Sequence, residues 1–225
     1  MSTTTTTIHV YNACTDKTSN EVLMFLQPVS PNDNYMYSAW NVLNPSPNSH
    51  QSCELTTTFS ASIAALGSSV DDYTDPFGLT LGSLAVVDNP DNQSPAFDSK
   101  ATSSLPVTAD EVGVDNECVS PDTNLSVIWY VNGNQVVQTN NTATTSLNPG
   151  YASTFQLYQA VWVMFGQKPT TTLTFTAQTF GAAVKIPIPN GATDVYIKAY
   201  TNSQGIDTFE PTTQDAFQDL VAARV

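Results

Sequence analysis

Positive charge is what this chain has least of. Six Lys and Arg stand against twenty Asp and Glu, a net charge of −14, and the single arginine, Arg224, is the penultimate residue. Neutralising phosphates takes clustered basic side chains, so nucleic acid is excluded as a natural partner, and anionic membrane surfaces are disfavoured for the same reason. Charge of either sign is also scarce: charged residues make up 12% of the chain, against about 25% in ordinary soluble domains. Thr, Ser, Asn and Gln supply the polarity instead, and hydroxyl and amide side chains sit well on the solvent faces of strands. Such a surface favours an extracellular or particle-surface protein, with an acidic β protein of an acid or saline habitat as the plain alternative.

Apolar runs stop after a handful of residues, far short of the ~20 a spanning helix needs, so no transmembrane segment is expected. Met1-Ser2 followed by five threonines has neither the basic nor the apolar region of a secretory signal peptide. The sequence therefore reads as a mature form, a protein exported by another route, or one that stays inside. Cys14, Cys53 and Cys118 are an odd number, so at most one pair can bridge. Cys14 with Cys53 is the preferred disulfide in an oxidising compartment, and three reduced thiols fit equally well. Only two histidines occur, which leaves His50, Cys53 and His9 as a weak candidate set for zinc or copper. Gly-x-Ser-x-Gly, His-Glu-x-x-His and a phosphate-cradling glycine loop are all missing. The five glutamates, at 21, 54, 111, 117 and 210, fall mostly in loops and make a poor source of paired carboxylates. An enzyme is thus the minority reading, and no cofactor is expected.

What is present is β pattern. In residues 124–139, N-L-S-V-I-W-Y-V-N-G-N-Q-V-V-Q-T, two β-rich arms at 125–131 and 135–139 flank Asn132-Gly133-Asn134. An Asn-Gly step supplies the positive φ angles of a tight hairpin, and the unbroken apolar run of the first arm predicts a central, doubly buried strand. Alternation or apolar runs predict further strands at 54–66, 79–87, 155–165, 172–179, 183–188 and 194–200. Residues 99–123 read as a long connection between sheets. The Ser/Thr run within 1–7 reads as a frayed end or the start of a strand. In 211–225, Thr212 with Asp215 as an N-terminal cap and Phe217, Leu220 and Val221 on one side predict a short amphipathic helix. No internal repeat stands out.

The expectation is an all-β chain: an antiparallel β-sandwich of roughly ten strands with a short C-terminal amphipathic helix, folded as one domain over 1–225. Residues 8–10, the Asn12-x-Cys14 step and the apolar run 22–26 predict an opening hairpin. This tenth of the chain resembles the first hairpin of thaumatin-like and aegerolysin-like β-sandwich proteins. The disulfide-dense body of thaumatin-like proteins is missing here, so the resemblance implies no activity.

Function is sought in the loops. Tyr35, Tyr37 and Trp40 stand in the polar, turn-rich stretch 28–52, where aromatic faces and amides together suit sugar recognition; the alternative is a short strand tucking its rings into the core. Asp71, Asp72 and Asp75, and the second acidic turn at 88–98, are oxygen-rich, but neither has the spaced pattern of a calcium loop. Three Asn-x-Ser/Thr sites, at Asn92, Asn124 and Asn140, matter only in a secreting eukaryote. The expected function is non-enzymatic: a lectin-like binding or self-assembling surface protein, with a glycan or protein surface as partner and a homo-oligomer as one form. A β-type pore-forming toxin is the alternative, suggested by the Thr-alternating stretch 170–179.

Overall fold

The computed structural model describes residues 5–14, 21–29, 35–69, 72–90, 93–119, 123–139, 146–157, 159–166, 174–176 and 183–223. It is all-β, with several antiparallel sheets and one short C-terminal helix. The described residues form eighteen strands rather than ten, because several are only three residues long. Stretches such as 170–173 and 177–179, which suggested a barrel wall, lie outside the described residues, and no described helix is long and apolar enough to cross a membrane.

The chain folds into two compact units. Unit 1 takes Met1–Gln27, Ser38–Thr57 and Gln159–Val225, and unit 2 takes Pro28–Tyr37 and Thr58–Tyr158. With strands numbered along the chain, unit 1 holds β1 (Thr5–Ala13), β2 (Glu21–Phe25), β4 (Asn41–Leu43), β5 (Ser49–Thr56), β14 (Ala160–Gly166), β15 (Thr174–Thr176), β16 (Val184–Pro187), β17 (Asp194–Thr201), β18 (Asp207–Thr212) and helix α1 (Gln214–Ala222). One sheet runs β18-β17-β1-β5 and a second runs β16-β14-β2-β4. Ile8, Val10, Val22, Met24, Val161, Val163, Ile186, Ile197 and Ala199 are fully buried between them. Two contacts tie the layers: Cys53 on β5 meets the Met24 sulfur on β2 at 3.6 Å, and Phe165 on β14 meets Phe209 on β18 at 4.3 Å between ring centres.

Unit 2 holds β3 (Tyr35–Ser38), β6 (Phe59–Ala65), β7 (Phe77–Leu79), β8 (Ser83–Asp88), β9 (Ala96–Asp98), β10 (Val112–Asn116), β11 (Leu125–Val131), β12 (Asn134–Thr139) and β13 (Ala152–Phe155). One of its sheets runs β13-β10-β8-β9, and the other contains the order β3-β12-β11-β6-β7. The β11–β12 hairpin is as its sequence demands: Asn132 and Gly133 have φ of 52° and 74°, the two positive angles of a type I′ turn.

The two units repeat one plan. Replacing β18, β17, β1 and β5 by β9, β8, β10 and β13, and β16, β14, β2 and β4 by β7, β6, β11 and β12, converts the two four-stranded orders of unit 1 into orders found in unit 2; β3 and β15 have no counterpart in this plan. The pairing types convert as well: β1–β17 and β10–β8 are both parallel, while the other ladders of the plan are antiparallel. Val10-x-Asn12-x-Cys14 across the end of β1 returns as Val114-x-Asn116-x-Cys118 across the end of β10. Asn12 Nδ2 donates to the Pro45 carbonyl at 2.9 Å, and its Oδ1 accepts the Cys14 N–H at 3.0 Å. Asn116 Nδ2 donates to the Leu147 carbonyl at 2.8 Å, and its Oδ1 accepts the Cys118 N–H at 3.1 Å. Each Asn carbonyl accepts the N–H of a positive-φ turn residue that follows a proline, Asn48 or Gly150, at 2.7 Å in both cases. Register makes Phe155 on β13 the equivalent of Cys53 on β5, and as Cys53 meets Met24 of β2, Phe155 stacks on Trp129 of β11 at 5.5 Å. The chain is therefore a structural tandem repeat, β1–β9 then β10–β18, and each compact unit is assembled from one half of each repeat.

That exchange explains where pattern reading and structure part. The run 54–66 is not one strand: it breaks at Thr57-Thr58, where the chain leaves unit 1 for unit 2. The run 155–165 breaks likewise between β13 and β14, where the chain returns. The opening hairpin does not form, because β1 joins β17 and β5 while β2 joins β14 and β4. The stretch 99–123 is not all connection: β10 runs fully buried inside it.

Candidate functional site

Along β1, Ile8, Val10 and Asn12 turn inward, which sends His9 and Tyr11 to the outer face of the β18-β17-β1-β5 sheet. On β17 the same alternation buries Val195, Ile197 and Ala199 and turns Tyr196, Lys198 and Tyr200 outward. Helix α1 lies on this outer face. Thr213 caps it by accepting the Ala216 N–H, one residue later than the pattern predicts, and Phe217 is its one buried residue. The Phe217 ring sits 5.1 Å from Tyr196, 5.7 Å from His50, 5.8 Å from His9 and 6.1 Å from Tyr11, mostly edge-on.

His9 is held on both nitrogens. Its Nδ1 lies 2.8 Å from Ser52 Oγ on β5, its Nε2 lies 2.9 Å from Asp194 Oδ1 on β17, and its ring stacks on Tyr196 at 4.8 Å. The hydrogen bond from His9, reinforced by Thr193, holds the Asp194 carboxyl below its ordinary pKa. Burial, with the nearby Asp194 charge, pushes the Tyr196 phenol up. Serine, histidine and carboxylate are thus joined in one hydrogen-bonded chain, and the His9 and Tyr196 rings meet Phe217 of the helix. The fold does not require them: by register, unit 2 has Gly113, Thr154, Gly82 and Leu84 where unit 1 has His9, Ser52, Asp194 and Tyr196.

Beside this cluster an open recess of ≈ 460 Å³ lies between the helix and the last two strands of the sheet. Ala216, Asp219, Leu220 and Ala223 line it from the helix end, and Lys198, Glu210 and Thr212 from the strands, so apolar and polar groups are mixed in it. Lys198 Nζ donates to Glu210 Oε1 at 3.1 Å and stands 4.9 Å above the Tyr200 ring. One cation is thereby fixed between a carboxylate and an aromatic face.

The residues singled out by sequence fall elsewhere. Tyr37 and Trp40 are buried, 0% and 2% exposed, with Tyr37 paired to Val137 in the β3–β12 ladder. Tyr35 is half-buried, which raises its phenol pKa. It lines a cavity of ≈ 50 Å³ in unit 2 with Glu111, Trp129 and Thr154, room for one or two waters at about 30 Å³ each. Asp71 lies outside the described residues. Asp72 is exposed and accepts both the N–H and the hydroxyl of Ser69, which lowers its pKa; Asp75 is exposed. His50 and Cys53 occupy opposite faces of β5, His50 toward Phe217 and Cys53 toward Met24, so they do not converge with His9 on one ion. Among the described residues no three His, Cys, Asp or Glu side chains are grouped to hold a metal. No disulfide joins Cys14, Cys53 and Cys118; burial pushes the Cys53 thiol up to about 12, and burial with the Asp88 charge takes Cys118 to about 11.

The recess itself escaped sequence reasoning. Its residues are spread over β17, β18 and α1, and no local pattern in the sequence joins them. No protein family matches the chain, and neither a curated protein nor a solved structure is significantly similar to it.

Proposed function

We propose that the chain is a binding protein that recognises a glycan or similar polyol at the α1 recess of unit 1. The carrying observation is the mixed lining: Ala216 and Leu220, with Asp219 beside them on the helix, together with Lys198, Glu210 and Thr212 of the strands. A sugar ring has the matching chemistry, with C–H faces that bury against apolar side chains and hydroxyl edges that bond carboxylates, hydroxyls and ammonium groups. The recess also lies in the size range of small-ligand sites, about 300–1,000 Å³. A glycan array followed by calorimetry on the hits tests this. Glu210→Gln and Leu220→Ala should each weaken binding about tenfold, equivalent to about 1.4 kcal/mol. An array on which the folded protein retains no glycan overturns the proposal.

The hydrogen-bonded chain Ser52–His9–Asp194 favours a second reading, acyl transfer. Ser52 Oγ would attack an ester carbonyl while His9 takes its proton. Asp194 would hold the imidazolium, and the leaving alkoxide would recover the proton as the acyl–serine forms. Fluorophosphonate labelling of Ser52 that His9→Ala abolishes supports it; an unlabelled wild-type Ser52 refutes it.

A further inference from the structure

Each sheet of unit 1 is joined down its middle by one ladder between an early and a late part of the chain. In the first sheet β1 meets β17 in parallel from Thr7↔Asp194 to Ala13↔Tyr200. In the second, β2 meets β14 from Phe25↔Trp162 to Glu21↔Gly166. Every other ladder of these two sheets stays within one part: β1–β5 and β2–β4 in the early part, β14–β16 and β17–β18 in the late part. Each part is thus half of two sheets. Its apolar face, with Val10 and Met24 on one side and Ile197 and Val163 on the other, is covered by the complementary half.

The chain already shows that adjacency does not choose the complement. Immediately after the early half, β6, β7, β8 and β9 offer the topological equivalent of β14, β16, β17 and β18. The early half leaves them to β10–β13 and takes the segment that begins at Gln159. Pairing is decided by fit, and a second copy carries a segment of identical fit. Whether a chain closes on itself or on a neighbour then depends only on the effective concentration of its own segment against that of its neighbours.

We propose that the partner of this chain is a second copy of itself, joined by reciprocal exchange of the segment from Gln159 to the C-terminus across the β1–β17 and β2–β14 ladders. The His9 cluster is the latch of this joint, since His9 and Ser52 belong to the early part while Asp194, Tyr196 and Phe217 belong to the late one. The glycan recess is carried entirely by the exchanged segment, through Lys198, Glu210, Asp219 and Leu220. Exchange therefore moves the recess intact, and this inference does not depend on the glycan reading.

The test uses the full chain. Equal amounts of donor-labelled and acceptor-labelled protein are unfolded together and refolded over chain concentrations from about 1 µM toward the mM effective concentrations of tethered segments. The products are then resolved by size-exclusion chromatography with light scattering. The expected product is a species of twice the chain mass with energy transfer between labels. Its ratio to monomer should rise about tenfold for each tenfold increase in concentration while monomer predominates, because a bimolecular closure competes with a unimolecular one. Once formed, the dimer should survive dilution for far longer than a surface complex, since release requires both ladders to open. Asp194→Asn, which weakens the latch and leaves the ladders, should shorten that lifetime several-fold. Monomer alone at every concentration overturns the proposal, as does a dimer that dissociates within the mixing time of dilution. Glycan binding is measured on both species, so its loss or retention reports separately on the recess.

Discussion

Two asparagines do the same work at the ends of β1 and β10, and they differ in how many groups depend on them. Asn116, 0% exposed, satisfies the Thr123 and Leu147 carbonyls and the Cys118 N–H, whereas Asn12, 2% exposed, satisfies the Pro45 carbonyl and the Cys14 N–H. Each buried group left without its partner costs about 1–3 kcal/mol. Asn116→Ala should therefore destabilise more than Asn12→Ala by roughly one such group, about 1–3 kcal/mol, read as the difference in urea midpoints at unchanged slope. Gly113 tests the divergence of the repeats. A Cβ there would stand 2.3 Å from a Leu84 methyl and 2.8 Å from the Ser153 carbonyl oxygen, and the backbone contact cannot be relieved by a rotamer change. Gly113→Ala should cost about 1–3 kcal/mol by overpacking, measured by the same denaturation. The equivalent residue of unit 1 is His9, with a whole imidazole on that face, so a glycine here is a property of unit 2 and not of the shared plan.

At the scale of elements, α1 is the piece most open to dissection. Nine residues make a helix that is marginal on its own, so its order must come from Phe217 in the ring cluster and from the Thr213 cap. Phe217→Ala removes the only buried side chain of the helix, and the helix can then release without unfolding the sheets. The expected result is fast amide exchange across α1 with the exchange of β1 and β17 little changed; equal acceleration throughout unit 1 would contradict it. Thr213→Ala should cost about 1 kcal/mol of helix stability. Elements differ in how openly the sequence declares them, for physical reasons. The β11–β12 hairpin was legible because Asn132-Gly133 is a local demand on φ that few other arrangements meet. The breaks at Thr57 and Gln159 were not, because the alternation Leu55, Thr57, Phe59, Ala61 runs on in period two while the chain passes from one unit to another. Strand β10 was hidden by Gly113 and Asp115, one admitted by a close approach of neighbours and the other buried with its carboxylate accepting from Ser103 Oγ at 2.5 Å. The repeat escaped notice because what survives of it is mainly hydrogen-bond roles, such as Asn48 against Gly150, that need not keep residue identity. The recess was equally silent: Lys198, Glu210 and Leu220 become neighbours only when β17, β18 and α1 have folded over one another.

For the whole molecule, charge decides how copies behave toward one another. Asp194 in unit 1 and Glu111 in unit 2 both have lowered pKa values, the first through His9 and the second through the hydroxyl and N–H of Thr108. A carboxyl with a lower pKa folded than unfolded contributes stability that is complete above its unfolded pKa and is lost as pH falls through its folded one. Thermal stability should therefore change little from these groups between pH 7 and about 5 and decline below about 4. Asp194→Asn and Glu111→Gln should each flatten part of that acid limb, and unaltered limbs would dismiss the assignment. Net charge pulls the other way. At −14 near neutrality two chains repel, while toward the pI of ≈ 4.1 that repulsion vanishes. The repulsion reaches about 30 Å at 0.01 M salt but only about 3 Å at 1 M. Closure of one chain on itself brings together charges already confined to one molecule, whereas exchange must first bring two such molecules into contact. Refolding at fixed concentration and neutral pH should therefore yield several-fold more exchanged dimer at 1 M than at 0.01 M salt. Affinity for an uncharged glycan should stay level over the same range, since no net charge is brought to the recess. A dimer yield independent of salt would mean that charge repulsion between copies does not limit their encounter, and would dismiss this account of the competition.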